Sequence, residues 1–201
     1  MERRALLATS HPGEVEELTR ILVAAGWAAL APAETGLTPP SRVLEGATLR
    51  DQAIGRATAF AGLAGMPALA VASAFNVYAM GQEPGLRTHD YAGEAAADAD
   101  HRAKLLTRMK RVPTGQRIAL FQVAIAIATP GAPVKVCNST LECEVAMEER
   151  GGGGYLFDAV TQVVSKRTLA ELDDAERDRV SHRGMAMKQV VKYLEQLSSG
   201  G

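Results

Sequence analysis

The chain has 201 residues, 47% of them hydrophobic, with 22 basic against 23 acidic side chains and a formal charge of −1. That length and apolar content suit a folded domain with its own core rather than a disordered chain, and the balanced charge leaves no electrostatic footprint for general nucleic-acid binding. No apolar run reaches the roughly 20 residues of a membrane-spanning helix, and the opening "MERRALLATSHPGE" turns polar too early for a signal peptide, so a cytoplasmic protein with no membrane partner is expected.

In chain order, "RALLATS" reads as a short strand and "HPGEVEELTRILVAAG" as a helix, with Val15, Leu18, Leu22 and Ala25 on one stripe and Gly26 as its stop. The turn from Ser10 to Gly13 lies between strand end and helix start. Such a junction either turns backbone N–H groups toward an anion or is an ordinary turn capped by Ser10. Residues 32–46 are rich in Pro and Gly and read as a long loop. An Ala-rich helix follows, with Thr48 as N-cap and Gly65 as its end. Pro67 to Ala72 is the next strand; the stretch "PALAVASAFNVYAM" then loses its apolar continuity at Ser73 and Asn76.

"GQEPGLRTHDYAG" reads as irregular, and Ala95 to Arg111 as a charged helix carrying Leu105, Leu106 and Met109. Two long strands joined by "PGAP" form a hairpin-like element. Cys137 and Cys143 fall on one face of the second strand, too far apart to bond readily, and no zinc-type spacing or nearby His supports a metal site. They are expected to be inert thiols. The "NST" at Asn138 matches a glycosylation acceptor and, with no secretory signal expected, is expected to be a chance match.

The last third opens with "RGGGGYLFDAV", whose glycines permit sharp bends and close approach, and whose apolar continuation argues for a packed loop over a linker. "TLAELDDAERDRV" opens with a capping box, Thr168 with Glu171. In "SHRG", Ser181 can cap a final helix with Met187, Val190, Val191 and Leu194 on its apolar stripe. Helices between strands plus a strand pair indicate an α/β or α+β class with a mixed sheet.

Two short stretches carry chemistry. "SHRG" places a hydroxyl, an imidazole and a guanidinium at a helix start, where donors converge on an acceptor such as a carbonyl or phosphate. "GGGGYLFDAV" adds an aromatic face at Tyr155 or Phe157 and the Asp158 carboxylate, which can accept from a purine N–H edge while a ring stacks.

Together with "ATSHPGEVEEL", "EGATLRDQA", "PALAVASAFNVYAM", "EPGLRTHDYAG" and "TLAEL", in this order from Ala8 to about Ala186, these stretches resemble the inosine triphosphate pyrophosphatase (Ham1-like) family. The resemblance implies a single domain over residues 1–201: an elongated two-lobed mixed-sheet α/β fold with a cleft between intimate lobes, as a homodimer. It implies a purine nucleotide as partner, with Tyr155, Asp158, Ser181, His182 and Arg183 around the base, Phe157 being the other candidate aromatic contact. Ser10, His11 and Ser73 are the further contacts it suggests. Members use Mg²⁺ and acidic residues to release pyrophosphate from a triphosphate.

The phosphate end departs from that pattern. Glu14 stands where the family has lysine, and His11 where it has asparagine. Asp51 replaces a glutamate. Val71, Ala72, Ser73 and Ala74 occupy the place of two aspartates followed by Ser-Gly, and Asp90 that of an arginine before "YAG". Alkyl side chains cannot hold Mg²⁺, which takes oxygen ligands, and a carboxylate repels the phosphate that a lysine attracts. The expectation is a purine-nucleotide hydrolase with altered chemistry, its catalytic residues Asp51, Asp158 and His182, cleaving the N-glycosidic bond of a nucleoside monophosphate with no cofactor unless Asp51 suffices for Mg²⁺. A nucleotide-binding protein without catalysis, and ordinary triphosphate pyrophosphatase activity, are the alternatives.

Overall fold

The computed structural model describes residues 3–37 and 47–199; the second half of the long loop read at 32–46 lies outside these residues. A seven-stranded sheet runs in the order β2-β1-β3-β5-β6-β7, with β4 paired to β3. Its strands are β1 (Arg4–Leu7), β2 (Ala28–Leu30), β3 (Ala68–Val77), β4 (Glu83–Gly85), β5 (Ile118–Ala128), β6 (Lys135–Val145) and β7 (Thr161–Gln162). Helices are α1 (Pro12–Ala24), the single turn α2 (Pro32–Thr35), α3 (Leu49–Ala64), α4 (Asp98–Met109), α5 (Asp174–Val180) and α6 (His182–Ser199). β1 pairs in parallel with β2 and β3, while β3–β4 and β6–β7 are antiparallel, so the sheet is mixed as the element order implies.

The chain divides into two compact units: residues 1–72, 123–138 and 186–201, and residues 73–122 and 139–185. In the first unit the two-residue period of β3 decides what covers each face. Leu69 and Val71 join Leu7, Leu18, Leu22, Ile125, Met187 and Val190, from α1, α6 and the adjacent strands. Ala68, Ala70 and Ala72 turn the other way and meet Ala53, Ala57, Phe60 and Ala61 of α3, with Ala124 and Ala126 of β5. Small side chains on both surfaces let α3 lie close to the sheet. Thr48 caps it, its hydroxyl accepting from the Asp51 N–H at 3.1 Å, and Gly65 ends it at φ +64°. These two ends agree with the sequence reading.

The core of the second unit gathers Phe75, Val77, Leu105, Met109, Phe121, Val145, Leu156 and Phe157. Buried Arg117 gives four hydrogen bonds to the carbonyls of Met109, Val112, Val145 and Ala146, satisfying its charge without a carboxylate and tying the end of α4 to β6. Burial draws its pKa below the ordinary arginine value. Both cysteines are free and buried, and burial pushes the Cys143 thiol up to about 12, as inert thiols should behave.

Several readings are corrected. Ser10 does not cap α1: the N-cap is His11, without a side-chain cap bond, and Ser10 is exposed one residue earlier. β3 does not stop at Ala72 but continues to Val77, because the Asn76 amide finds Gln122 on β5 at 2.9 Å and the Phe75 N–H donates to Thr88. The irregular stretch after it contains β4, and the charged helix is shorter, Asp98–Met109. Thr168 and Glu171 make half a capping box: the Glu171 carboxylate accepts from the Thr168 N–H, while the Thr168 hydroxyl donates to the Arg150 carbonyl. No helix among the described residues is long and apolar enough to cross a membrane.

Candidate functional site

The glycine stretch is packed, not a free linker. The Gly153 N–H donates to the Ala170 carbonyl at 3.0 Å, and a Cβ on Gly151 would strike the Ala170 backbone. Gly154, at φ +69°, lies against the Asp158 carboxylate so closely that a Cβ there would collide with it. The chain then turns through a short 3-10 segment, Asp158–Val160, which leaves Tyr155, Phe157 and Asp158 all buried.

From the other side, α6 begins at His182 with Ser181 as its cap, the hydroxyl accepting from the Gly184 N–H at 2.9 Å. This start places His182 and Arg183 against the Tyr155–Asp158 turn. Arg183 Nη2 donates to Asp158 Oδ2 at 2.6 Å, with the two side chains only 2% and 1% exposed. The same oxygen accepts from the Tyr155 N–H at 3.2 Å. The guanidinium also lies 4.2 Å from the centroid of the Tyr155 ring, a cation–π contact in a desolvated setting. His182 stacks on Phe121, ring centroids 3.8 Å apart.

The proton on His182 can be placed by donor accounting. Its Nε2 faces Arg183 Nη1 at 3.4 Å, and a guanidinium only donates, so a hydrogen bond there uses the tautomer whose Nε2 accepts. Burial first, then the charges of Arg183 and His89, hold the imidazole well below its ordinary pKa, and in the neutral tautomer that accepts from Arg183 the hydrogen is on Nδ1. That Nδ1 is buried without a hydrogen-bond partner, and so is Asp158 Oδ1. A donor and an acceptor, each desolvated and unpaired, flank one guanidinium. Buried polar atoms in native proteins are nearly always paired, and exceptions call for a ligand or water.

Not every nominated residue joins this cluster. Phe157 is fully buried, with its ring stacked on Phe75 at 5.1 Å and edge-on to His101, so packing uses its faces. Ser181 is occupied as the helix cap. Ser73 is 5% exposed on β3. His89 was not singled out by its sequence context, yet its charge is felt at His182.

Ser10, His11, Asp51, Val71 and Ala72 belong to the first unit. The His11 N–H donates to the Thr9 hydroxyl at 3.2 Å. Val71 and Ala72 are 1% and 3% exposed, each inside the core of its own sheet face. Asp51 is exposed and accepts from the Thr48 hydroxyl at 2.7 Å, part of the cap of α3. Glu14 and Glu17 of α1 are 2% and 6% exposed. Arg56 Nη1 donates to the Val71 carbonyl at 2.9 Å; burial lowers its pKa and the charge of Glu14 opposes that fall.

A magnesium ion needs several hard oxygen ligands. Among the described residues no group of three or more His, Cys, Asp or Glu is placed to hold a metal ion. Alkyl groups stand at 71 and 72 and Asp51 is engaged in a cap, so these positions offer such an ion at most one carboxylate.

The Ham1 family model matches residues 5–193. The chain belongs to the Ham1 family. It is 34% identical over 194 residues to the dITP/XTP pyrophosphatase of Bacillus subtilis, covering 96% of this chain and 98% of that protein. Identity to the dITP/XTP pyrophosphatase of Haemophilus ducreyi is 36% over 195 residues, covering 95% and 98%. Among solved structures, a HAM1 protein from Coxiella burnetii superposes with a TM-score of 0.81 at 29% identity, covering 96% of this chain and 99% of that one. The mixed α/β fold is thus the Ham1 fold.

Proposed function

We propose that the chain is a purine-nucleotide hydrolase that recognises a 6-oxopurine base with the Asp158–Arg183–His182 cluster. The observation that carries this reading is the pair of buried, unpartnered atoms, Asp158 Oδ1 and His182 Nδ1. Hypoxanthine, xanthine and guanine carry an N1–H donor beside a C6 carbonyl, the complement of a carboxylate oxygen and an imidazole N–H. Adenine presents an acceptor at N1 and a donor at C6, the reverse pattern. A site built to pair both groups rejects a base that leaves them unpaired by large factors, on the order of 10⁴ where both are buried. The names of the relatives, dITP/XTP pyrophosphatases, support nucleotide hydrolysis and a 6-oxopurine.

The bond cleaved is proposed to be the N-glycosidic bond of a nucleoside monophosphate. Water adds to C1′ as the C1′–N9 bond breaks, and the departing base takes up the proton that water loses, giving free base and ribose 5-phosphate. Negative charge grows on the leaving purine, and a desolvated His182 Nδ1–H donating to it, with the Arg183 guanidinium close by, stabilises that charge more than the ground state. Support for a monophosphate comes from the sequence, in which Glu14 stands where the family it resembles carries a lysine. The second reading is triphosphate pyrophosphohydrolysis, favoured by the 34% identity over nearly the whole length of a dITP/XTP pyrophosphatase.

Incubation with IMP, XMP, GMP, AMP, ITP and XTP, with and without Mg²⁺, separates the readings. Free hypoxanthine, xanthine or guanine from the monophosphates, independent of Mg²⁺ and absent with AMP, is the expected result. Pyrophosphate released from ITP or XTP only with Mg²⁺ would establish the second reading instead.

A further inference from the structure

Helix α4 holds the base-recognition turn by gripping the two peptide groups on either side of one residue, Leu156. Asp98 Oδ2 accepts from the Leu156 N–H at 2.6 Å, and Arg102 Nη1 donates to the Leu156 carbonyl at 2.8 Å. Asp98 and Arg102 are four residues apart, so they share a helix face and close on Leu156 from one side. Leu156 needs holding: its φ is +53°, a left-handed conformation rare for a residue with a branched apolar side chain. The side chain itself is only 2% exposed, in the second core.

The grip is anchored behind. Arg102 Nε is paired with Glu149 at 2.7 Å, which fixes its direction. His101, between the two gripping residues, accepts at Nδ1 from the Ala92 N–H at 3.0 Å, and Arg117 holds the Met109 carbonyl at the far end of α4. Leu156 lies between Tyr155, which stacks on Arg183, and Asp158, which pairs with it. Any rotation about the backbone bonds of Leu156 moves the ring and the carboxylate relative to Arg183.

We propose that Asp98 and Arg102 are positioning residues for purine recognition, holding Leu156 left-handed so that the Tyr155 ring and the Asp158 carboxylate stay registered on Arg183. This rests on the reading of the Asp158–Arg183–His182 cluster as the base site. Its consequence is selective: loosening the grip should weaken recognition of the base and leave recognition of the sugar phosphate alone.

The test measures equilibrium binding of IMP, with ribose 5-phosphate as the base-free probe, to full-length wild type, Asp98→Ala, Asp98→Asn, Arg102→Met, Arg102→Lys and Asp158→Ala, with the melting temperature of each. Asp98→Ala and Arg102→Met are expected to weaken IMP by about tenfold or more, since misplacement of roughly 1 Å has large effects, with ribose 5-phosphate unchanged. Asp98→Asn keeps an acceptor for the Leu156 N–H and should restore IMP binding to within about threefold of wild type. If Asp98→Ala does not fold, Arg102→Met against Arg102→Lys carries the same comparison. Wild-type IMP affinity in Asp98→Ala and Arg102→Met, with loss in Asp158→Ala, would overturn the grip and leave the base site standing. Equal weakening of both probes without rescue by asparagine would also overturn it, as a general loss of structure. Wild-type affinity in all variants, Asp158→Ala included, or no IMP binding by wild type, would overturn the base site and the grip together.

Discussion

Asp158 and Arg183, 25 positions apart in sequence, form an ion pair at 2.6 Å that is almost wholly withdrawn from solvent. A charge buried this far is tolerated only while its partner remains. Asp158 Oδ2 is used twice, by Arg183 and by the Tyr155 N–H, and Oδ1 is left over. One carboxylate thus joins the turn to α6 and still has an oxygen to offer a ligand.

Removing that carboxylate should be costly in two separable ways. Asp158→Ala strands the Arg183 guanidinium and is expected to lower unfolding free energy by about 3–5 kcal/mol, measured by urea denaturation. Asp158→Asn keeps the shape and one acceptor, so its stability loss should be smaller. It replaces one acceptor oxygen by a donor, and IMP binding by calorimetry should still weaken by about tenfold or more, the cost of an unmatched buried group. Wild-type IMP affinity in Asp158→Asn would remove Asp158 from base recognition.

Gly154 supports the same carboxylate by having no side chain. It sits at φ +69°, and a Cβ would collide with Asp158. Gly154→Ala should therefore combine backbone strain of about 1 kcal/mol or more with displacement of Asp158. A Cβ on Gly152 would meet nothing within 4 Å, which makes Gly152→Ala the matched control. Thermal melting and IMP binding should be impaired for the first and near wild type for the second. Equal behaviour of the two would show that the glycine stretch does not position Asp158.

How far such relationships can be read from sequence depends on their range. The Thr48 and Ser181 caps and the Gly65 stop were legible because each acts within three or four residues. Where β3 ends was not, since the Asn76 amide is satisfied by Gln122, 46 residues away, and a local reading sees only a polar break. "GGGGYLFDAV" announced a packed loop with an aromatic and an acid. Only packing divides its rings, Phe157 against Phe75 and Tyr155 against Arg183. The Leu156 grip was invisible because both hydrogen bonds end on backbone atoms, which the side-chain sequence does not report. Ser10 as a cap was a local reading that failed: Pro12 begins the helix, leaving His11 as the N-cap.

Acid should loosen the second unit through its histidines. His182 is held well below its ordinary pKa, mainly by burial, and His101 is also lowered by burial. In the unfolded chain both would titrate near 6.5. Below that value the unfolded state binds protons that the native state refuses, so stability falls as pH drops from the unfolded pKa toward the folded ones and is flat from these groups above it. Melting temperature should decline from pH 7 to pH 5. His182→Asn keeps a donor near the Nδ1 position without titrating, and its melting curve should decline less steeply. An unchanged slope in His182→Asn would mean that His182 does not titrate on unfolding in this range.

Glu14 should govern how the first turn of α1 treats polyphosphate. It is 2% exposed in the first turn of the helix, where the peptide dipoles favour negative charge, and its charge reaches Arg56. The protein thus supplies its own anion to the helix start. A phosphate arriving at that helix start would be opposed by the carboxylate charge. Glu14→Gln keeps the shape and removes the charge, leaving Arg56 uncompensated. Inorganic tripolyphosphate should bind weakly or not at all to wild type and about tenfold or more tighter to Glu14→Gln at low salt, with the gain shrinking as salt is raised. Tight tripolyphosphate binding by wild type, unaffected by Glu14→Gln, would show that the acid does not oppose phosphate there and would favour the triphosphate reading over the monophosphate one.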